Sequence, residues 1–544
     1  MKTSENIQLL YIDLFCGAGG TSTGVENAVL SGGKAAKVIA CVNHDKNAIA
    51  SHKANHPDAI HYTEDIRTLD LEPMRIHIDM ARKTYPEAKV VLWASLECTN
   101  FSKAKGGMSR DADSRTLAEH LYRYVEAIRP DIIQIENVEE FQTWGPLIEK
   151  RRPDGSVVMV KKTSGRGKDR TSRWEPAMVP DPDHAGEYYL RWVRNMCAYG
   201  YRFESRILNS ADYGAYTSRK RFFGMFARED VPIVFPEPTH AKDPERSLFG
   251  PDLEKWKPVR DVLDFSDEGE SIFGRKKPLV EATLRRILAG LKKFVPDAPR
   301  PSSGEPFLST YYGKGGVHPT SSPAPTVTTK DRLSLVFLDN QYGTGGATSV
   351  DSPCGTITNV PKQKPVNVRF AEGDAWLMQT NYDNIGQRLD VPARTVTADR
   401  HWSYLINPQY GSRGSSVDAP APTVIARQDK APLGLCEAHT EGNLPSFIRR
   451  TGEGLLYTVS PDDSDTLREM KAFMCAHGIV DITMRMLRIR ELKLIQGFPE
   501  DYVLVGTQEE QKKYLGNAVV TVVAKAWCEA VAGVLTGKQK SKVA

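Results

Sequence analysis

The sequence predicts an α/β fold: a largely parallel sheet with helices on both faces, interrupted by a large β-rich insert. Three observations predict it. Short apolar runs alternate with stretches of helical spacing as far as residue 228, the pattern of repeated strand–helix units. The ends of those runs carry glycines and polar side chains, at the sheet edge where ligands bind in such folds. From residue 229 to 481 the chain turns rich in Pro, Gly, Thr and Ser, and helical character then returns. At 544 residues the chain exceeds one hydrophobic core. The division expected is therefore 1–228, the insert 229–481, and a return over 482–544 that completes the first part.

Residues 8–15 form an apolar strand, followed by a glycine-rich turn and a stretch of helical spacing over 24–30. Residues 36–42 are a second strand leading into a helix over 46–55. Residues 90–94 and 131–135 are further buried strands, with a helix over 117–128 between them. The insert contains a fourfold repeat. Residues 323–328, PAPTVT, recur as PCGTIT at 353–358, PARTVT at 392–397 and PAPTVI at 420–425. Tyr312, Tyr342, Tyr382 and Tyr410 precede the threonines of these copies by 13 or 14 residues, the spacing of a small β unit used four times. A duplicated scaffold and a contact surface are both open readings of that repeat. Helices are expected again over 486–496 and 508–535.

Composition narrows the function classes. Lys plus Arg is 72 and Asp plus Glu is 68, so the net charge of +4 excludes a bulk polycation. The charge is segregated, however: residues 150–228 hold 17 Lys or Arg against 8 Asp or Glu. Within them residues 161–173 read as a basic, phosphate-binding loop, with a solvated loop as the plain alternative. No run approaches 18 apolar residues, and the first ten residues lack the basic and apolar regions of a leader, so neither a membrane span nor secretion is expected. The eight cysteines are scattered with no C-x-x-C pair, which points to a reduced compartment and away from a thiolate zinc site. His52, His56 and His61 are expected to be surface histidines, and no metal is expected.

The chemistry concentrates at the strand ends. The run D-L-F-C-G-A-G-G, 13–20, joins a strand to a helix; its glycines let backbone approach a ligand, and the helix start favours an anion. Asn43, His44 and Asp45 close strand two, where polar side chains meet ribose hydroxyls, and Asp65-Ile66 offers a carboxylate to an adenine amino group. Cys98 follows a buried strand and precedes a Gly- and Lys-rich loop, the placement of a nucleophile. Glu136, in Glu136-Asn137-Val138, ends the next strand and can supply an acid beside that thiol. Arg219 and Arg221 stand at i, i+2 on one strand face.

Taken together these elements resemble the DNA (cytosine-5-)-methyltransferase family of bacterial or phage type. D-L-F-C-G-A-G-G is similar to its first motif, E-N-V to its acid motif and S-R-K-R-F-F, 218–223, to its arginine motif. The run beginning R-M-L-R-I-R-E at Arg485 and ending Q-G-F-P at Pro499 resembles the motif near the domain end, and Y-L-G-N-A-V, 514–519, the last one. The motifs keep the family order over residues 8–228 and 482–535. Two departures stand out. Glu97-Cys98-Thr99 replaces the usual Pro-Cys-Gln, and Asn43 stands where an acidic ribose ligand is common.

The resemblance implies a Rossmann-like S-adenosylmethionine-dependent methyltransferase sheet with the insert as target-recognition domain. It places S-adenosyl-L-methionine across Asp13, Phe15, Gly17, Gly19, Asn43, His44, Asp45, Asp65 and Ile66, with Asn517 near its methionine end. It gives Cys98 the attack on carbon 6 of a flipped cytosine, Glu136 the ring nitrogen, Arg221 the base, and Arg219 a phosphate or the loop, with Asn137 beside them. The loop with Lys103, Lys105, Gly106 and Gly107 would close on DNA. Arg332, Arg394, Arg400, Arg413 and Arg427 lie in or beside repeat units. Double-stranded DNA is the expected partner, with a restriction endonuclease of the same specificity. The setting would be restriction-modification or protection of DNA, in a cytoplasmic monomer. Two other readings stay open: a silent DNA-binding homologue with a thiol disabled by Glu97, and transfer of a different group or to another nucleic acid.

Overall fold

The computed structural model describes residues 7–96, 117–164, 171–244, 252–267, 269–294, 445–451, 454–460, 462–477 and 479–537, with the backbone of short strands between 307 and 439. Seven strands build the central sheet: β1 (Leu9–Leu14), β2 (Ala36–Val42), β3 (Ile60–Tyr62), β4 (Lys89–Ser95), β5 (Ile132–Asn137), β6 (Arg202–Asn209) and β7 (Lys220–Ala227). Their order is β6-β7-β5-β4-β1-β2-β3. β3, β2, β1, β4 and β5 run parallel, and β7 lies antiparallel between β5 and β6. All six residues of β1 are buried because helices cover both faces, which is why the strand reads as an unbroken apolar run. The order reverses between β1 and β4, the point of an α/β sheet where ligands bind.

Helices α1 (Gly20–Glu26), α2 (Lys46–Asn55), α3 (Glu72–Thr84), α4 (Leu121–Ile128) and α5 (Glu187–Cys197) belong to the first part. The return adds α6 (Ile489–Ile495), α7 (Gln508–Asn517) and α8 (Thr521–Leu535). α8 is apolar except for the strip that carries Lys525 and Glu529, because it completes the sheet's core. Trp527 is fully buried, its ring centroid 5.5 Å from those of Trp93 and Phe223, and its indole N–H donates to the Val234 carbonyl at 2.6 Å. α1 crosses α8 so closely that a Cβ on Gly24 would stand 2.3 Å from the Thr521 carbonyl oxygen. The core therefore extends past residue 228, through Val231 and Phe235.

Several expectations are corrected in detail. The helical stretch expected over 24–30 is displaced to Gly20–Glu26. Ser31 and Gly32 take φ of 53° and 82°, and the resulting turn pairs Val29–Leu30 with Gly33–Lys34 as a hairpin. The predicted 508–535 helix is two helices, parted at Ala518–Val520. Most of the basic stretch 161–173 is not loop but the antiparallel pair Met159–Ser164 and Thr171–Pro176. α7 opens with a capping box, in which Thr507 and Glu510 satisfy each other's backbone N–H. Thr507→Ala should lower the unfolding free energy by about 1 kcal/mol, read as a shift in the urea midpoint.

In the insert, helices Glu281–Phe294 and Asp465–His477 share a core containing Ile287, Leu291, Met470 and Met474. Beside them an eight-stranded sheet includes Leu333–Asn340, Arg400–Ile406 and Gly434–His439, the strands that follow repeat copies one, three and four. Within copies one and four, Val327–Thr328 pairs in parallel with Val424–Ile425. Strand Asp481–Met486 pairs with Gly434–His439, so the segment that opens the return is itself hydrogen-bonded into the insert's sheet.

Candidate active site

The loops that follow β1, β2 and β3 and the ends of β4 and β5 meet at the switch point around a cavity of about 510 Å³. Its wall includes Phe15, Gly17, Asn43, His44, Asp45, Asp65, Ile66 and Asn517. Phe15 adopts φ of 59°, a left-handed conformation rare for an aromatic residue, at the turn out of β1. Gly17 has φ of 53°, and a Cβ built there meets nothing within 4 Å. Gly17→Ala should therefore cost roughly 1–2 kcal/mol in stability from backbone strain alone. Thermal melting measures that cost, and a loss of ligand affinity beyond it would mark the lost space.

Not every expected contact reaches the cavity. Asp13 lies beneath it, fully buried, with Oδ2 accepting from the Ser22 hydroxyl at 2.8 Å and Oδ1 without a donor among the described residues. Burial pushes this carboxyl up to about 8. Gly19 is a packing position: a Cβ there would stand 2.3 Å from the Tyr502 hydroxyl and against His52 and His56. Asp45 caps α2, its Oδ1 accepting from the amides of Asn47 and Ala48 and from the Tyr514 hydroxyl. Asp65 is paired with Arg67, whose guanidinium holds its carboxyl down at about 2. Glu64, Ser95, Tyr514 and Val519 also line the cavity and escaped the sequence reading. Glu64 precedes Asp65, and the others lie within or beside motifs already singled out.

The acid end of the cavity is built by strand register. Glu136 at the end of β5 stands opposite Ser95 of β4 and Phe223 of β7, is buried, and lines the cavity. Burial raises its pKa, opposed by Arg219, Arg221 and the Ser95 hydroxyl. The two arginines divide in the opposite sense to expectation. Arg219 is buried between Thr217–Ser218 and β7, lines the cavity, and donates to the Gly516 carbonyl at 3.2 Å. Arg221, on β7, places Nε 3.4 Å from Glu136 Oε1 and is absent from the wall. Asn137 is buried away from the cavity, with Oδ1 accepting from the Val138 amide. Cys98, Glu97 and the lid lysines lie outside the described residues; Leu96, two positions before Cys98, lines the cavity. The side chains of the insert's arginines 332, 394, 400, 413 and 427 also lie outside them.

Of the three histidines expected at the surface, one is buried and two, His56 and His61, are half-buried. His52 is fully buried, with Nε2 2.8 Å from the Ser22 hydroxyl and Nδ1 2.9 Å from His61 Nε2. His56 stands 3.2 Å from Thr23 Oγ1, and burial lowers its pKa to about 3.

A family profile described as C-5 cytosine-specific DNA methylase matches residues 9–144 and 387–532, just over half of the chain. The chain belongs to that family. The two matched blocks carry Asp13, Glu136 and Asn517, whereas Arg219 and Arg221 fall between them. Among curated relatives, the Type II methyltransferase M.AgeI of Thalassovita gelatinovora is 28% identical over 269 residues, 47% of this chain and 51% of that protein. M.BspRI of Lysinibacillus sphaericus is 24% identical over 257 residues, 43% of this chain and 48% of that protein. M.AquIA of a Picosynechococcus strain is 26% identical over 255 residues, 46% of this chain and 86% of that protein. The chain thus spans about half the length of the first two of these relatives. A solved methyltransferase of Entamoeba histolytica overlays 96% of this chain and 98% of its own, at 12% identity and a TM-score of 0.41.

Proposed function

We propose that this chain transfers a methyl group to carbon 5 of a cytosine flipped out of double-stranded DNA. The observation that carries the reading is the meeting of Glu136 and Arg219 with three loops of nucleoside-binding type in one cavity. The residues fit S-adenosyl-L-methionine. The volume suits a nucleoside-sized ligand, and Gly17 leaves room for close approach. Phe15, Gly17, Asn43, His44, Asp45, Asp65, Ile66 and Asn517 would hold it. When bound, it supplies an electrophilic sulfonium methyl group.

The chain's own residues do the rest. A stacked cytosine hides carbon 6, so the base must leave the duplex to enter the cavity. The Cys98 thiolate adds to carbon 6, and Glu136 holds a proton at ring nitrogen 3, which offsets the charge that reaches the ring. Carbon 5, made electron-rich by that addition, gains the methyl group; its proton leaves and the thiolate is expelled. Arg219, anchored on the Gly516 carbonyl, supplies the positive charge at the cavity wall, and Arg221 orients Glu136. The insert reads the target sequence, and the basic hairpin 159–176 borders the phosphates. The similarity to Type II methyltransferases favours a restriction-modification setting, with a cognate endonuclease as partner.

The test is incubation of the protein with duplex DNA and methyl-labelled S-adenosylmethionine, with nucleoside analysis of the product. Label in 5-methylcytosine is expected, and a duplex with fluorine in place of the carbon 5 proton should trap a protein–DNA adduct that maps to Cys98. Tight DNA binding without label, or label on another atom, overturns the reading.

A further inference from the structure

One polar cluster takes no part in the chemistry above. Cys16 Sγ at the end of β1, Cys41 Sγ in β2 and a ring nitrogen of His52 in α2 all lie within 4.8 Å of one another, and all three residues are buried. His61 in β3 supplies a fourth nitrogen, its Nε2 2.9 Å from His52 Nδ1. We propose that Cys16, Cys41, His52 and His61 bind one zinc-class divalent cation beside the cofactor cavity.

Two sulfurs and two imidazole nitrogens are a donor set that zinc takes in closed tetrahedral sites. With Zn–S near 2.3 Å and Zn–N near 2.1 Å, a tetrahedron requires a sulfur–nitrogen edge of about 3.5 Å. Cys41 Sγ and His52 Nδ1 are 3.6 Å apart. The nitrogen–nitrogen edge requires about 3.4 Å, so His61, which stands outside the 4.8 Å triad, must turn toward the two sulfurs as it withdraws from its 2.9 Å contact with His52.

The surroundings select the ligating form of His52. The Ser22 hydroxyl donates its proton to Asp13 Oδ2 at 2.8 Å, so its oxygen accepts from His52 Nε2–H at 2.8 Å. That leaves the Nδ1 lone pair facing the thiols. A carboxylate acting through a hydroxyl on the far nitrogen of an imidazole is the outer-shell arrangement that fixes a metal-binding histidine. Binding would release the two thiol protons and shift the His61 proton from Nε2 to Nδ1, with no change of oxidation state. The four donors come from four elements at no motif spacing, which is why cysteine arithmetic pointed away from zinc. The ion would tie the loops after β1, β2 and β3 to one point, so it stiffens the cavity without touching the transferred group.

The experiment is metal analysis of the full chain purified without chelator and equilibrated at about 100 nM free zinc, where a structural site is at least half filled. One zinc per chain is expected, released on mercurial titration of the thiols. Cobalt substitution should give a thiolate-to-cobalt charge-transfer absorption that weakens in Cys41→Ser. Ser22→Ala removes no ligand and only the outer contact to His52 Nε2; it should keep the fold, checked by circular dichroism, and lower zinc affinity about 10–100-fold. A folded wild-type chain holding under about a tenth of an equivalent, or a Cys16–Cys41 disulfide in the isolated protein, overturns the proposal. Both results are read without a methyl-transfer assay, so they stand apart from the catalytic reading.

Discussion

Replacing Glu136 by alanine is expected to slow methyl transfer about 10²–10⁴-fold, the range supplied by a well-placed proton donor or acceptor. Cofactor affinity should change little. The residue lines the acid end of the cavity, whereas the cofactor loops follow β1, β2 and β3. Its pH behaviour carries a sign. Burial raises the pKa of Glu136, with Arg219 and Arg221 opposing, so the neutral carboxyl persists above the ordinary value near 4.3. A rate that needs the proton at ring nitrogen 3 is then fullest on the acid side and falls as pH rises through the raised pKa. Stability follows the same direction. Between the ordinary and the raised pKa the folded chain binds more protons than the unfolded one, so the unfolding free energy falls as pH rises across that window. Glu136→Gln should flatten that slope while retaining a donor at the same place. Pre-steady-state rates against pH for the three proteins decide the matter, and an Ala variant with an unchanged rate would remove Glu136 from the chemistry.

The parallel strands were legible in the sequence because β1, β4 and β5 are buried on both faces, so their apolar runs end where the ligand loops begin. The helix over Lys46–Asn55 was legible as the partner of strand two in a strand–helix unit, and Asp45 proves to be its cap. The division of the arginine pair was not. Arg219 precedes β7 and Arg221 lies within it, and the antiparallel register of β7 against β5 decides which one faces Glu136. No local spacing carries that register, since β5 and β7 are joined by the hairpin, α5 and β6. The buried histidines were misjudged for a related reason. Over 46–55 polar residues dominate and the helix is only weakly amphipathic, so its buried face is paired polar atoms rather than apolar bulk. Periodicity detects apolar burial and is blind to this kind.

Replacing Glu491 by alanine should destabilise the folded chain by about 3–5 kcal/mol, the loss typical of breaking one side of a buried ion pair. Glu491 is 1% exposed and meets Arg485, itself 9% exposed, at 2.8 and 2.9 Å. It also accepts from the backbone amides of Arg488 and Asp264 at 2.7 and 2.8 Å, which caps the free N–H at the start of α6. Arg485 leaves the insert's last strand, Asp481–Met486, and donates to the carbonyls of Asp264 and Asp267. The pair therefore joins three segments: the strand shared with the insert, the loop after Val259–Val262, and the return. Removing the carboxylate leaves a buried guanidinium facing carbonyls and one remaining acid, Asp267. The packing beyond it, Leu492, Ile495, Tyr502 and Leu515, leads to α7, whose last residue Asn517 lines the cavity. Urea unfolding should show the loss, and the cofactor KM should rise with it while the rate at saturation holds. The double variant Arg485→Met, Glu491→Leu separates charge burial from packing. If the ion pair positions the return rather than stabilising it, the double variant recovers most of the unfolding free energy but keeps the raised KM. A single-variant loss below about 1 kcal/mol would place the pair with exposed bridges instead, and the link from insert to cavity would have to be sought in the apolar contacts alone.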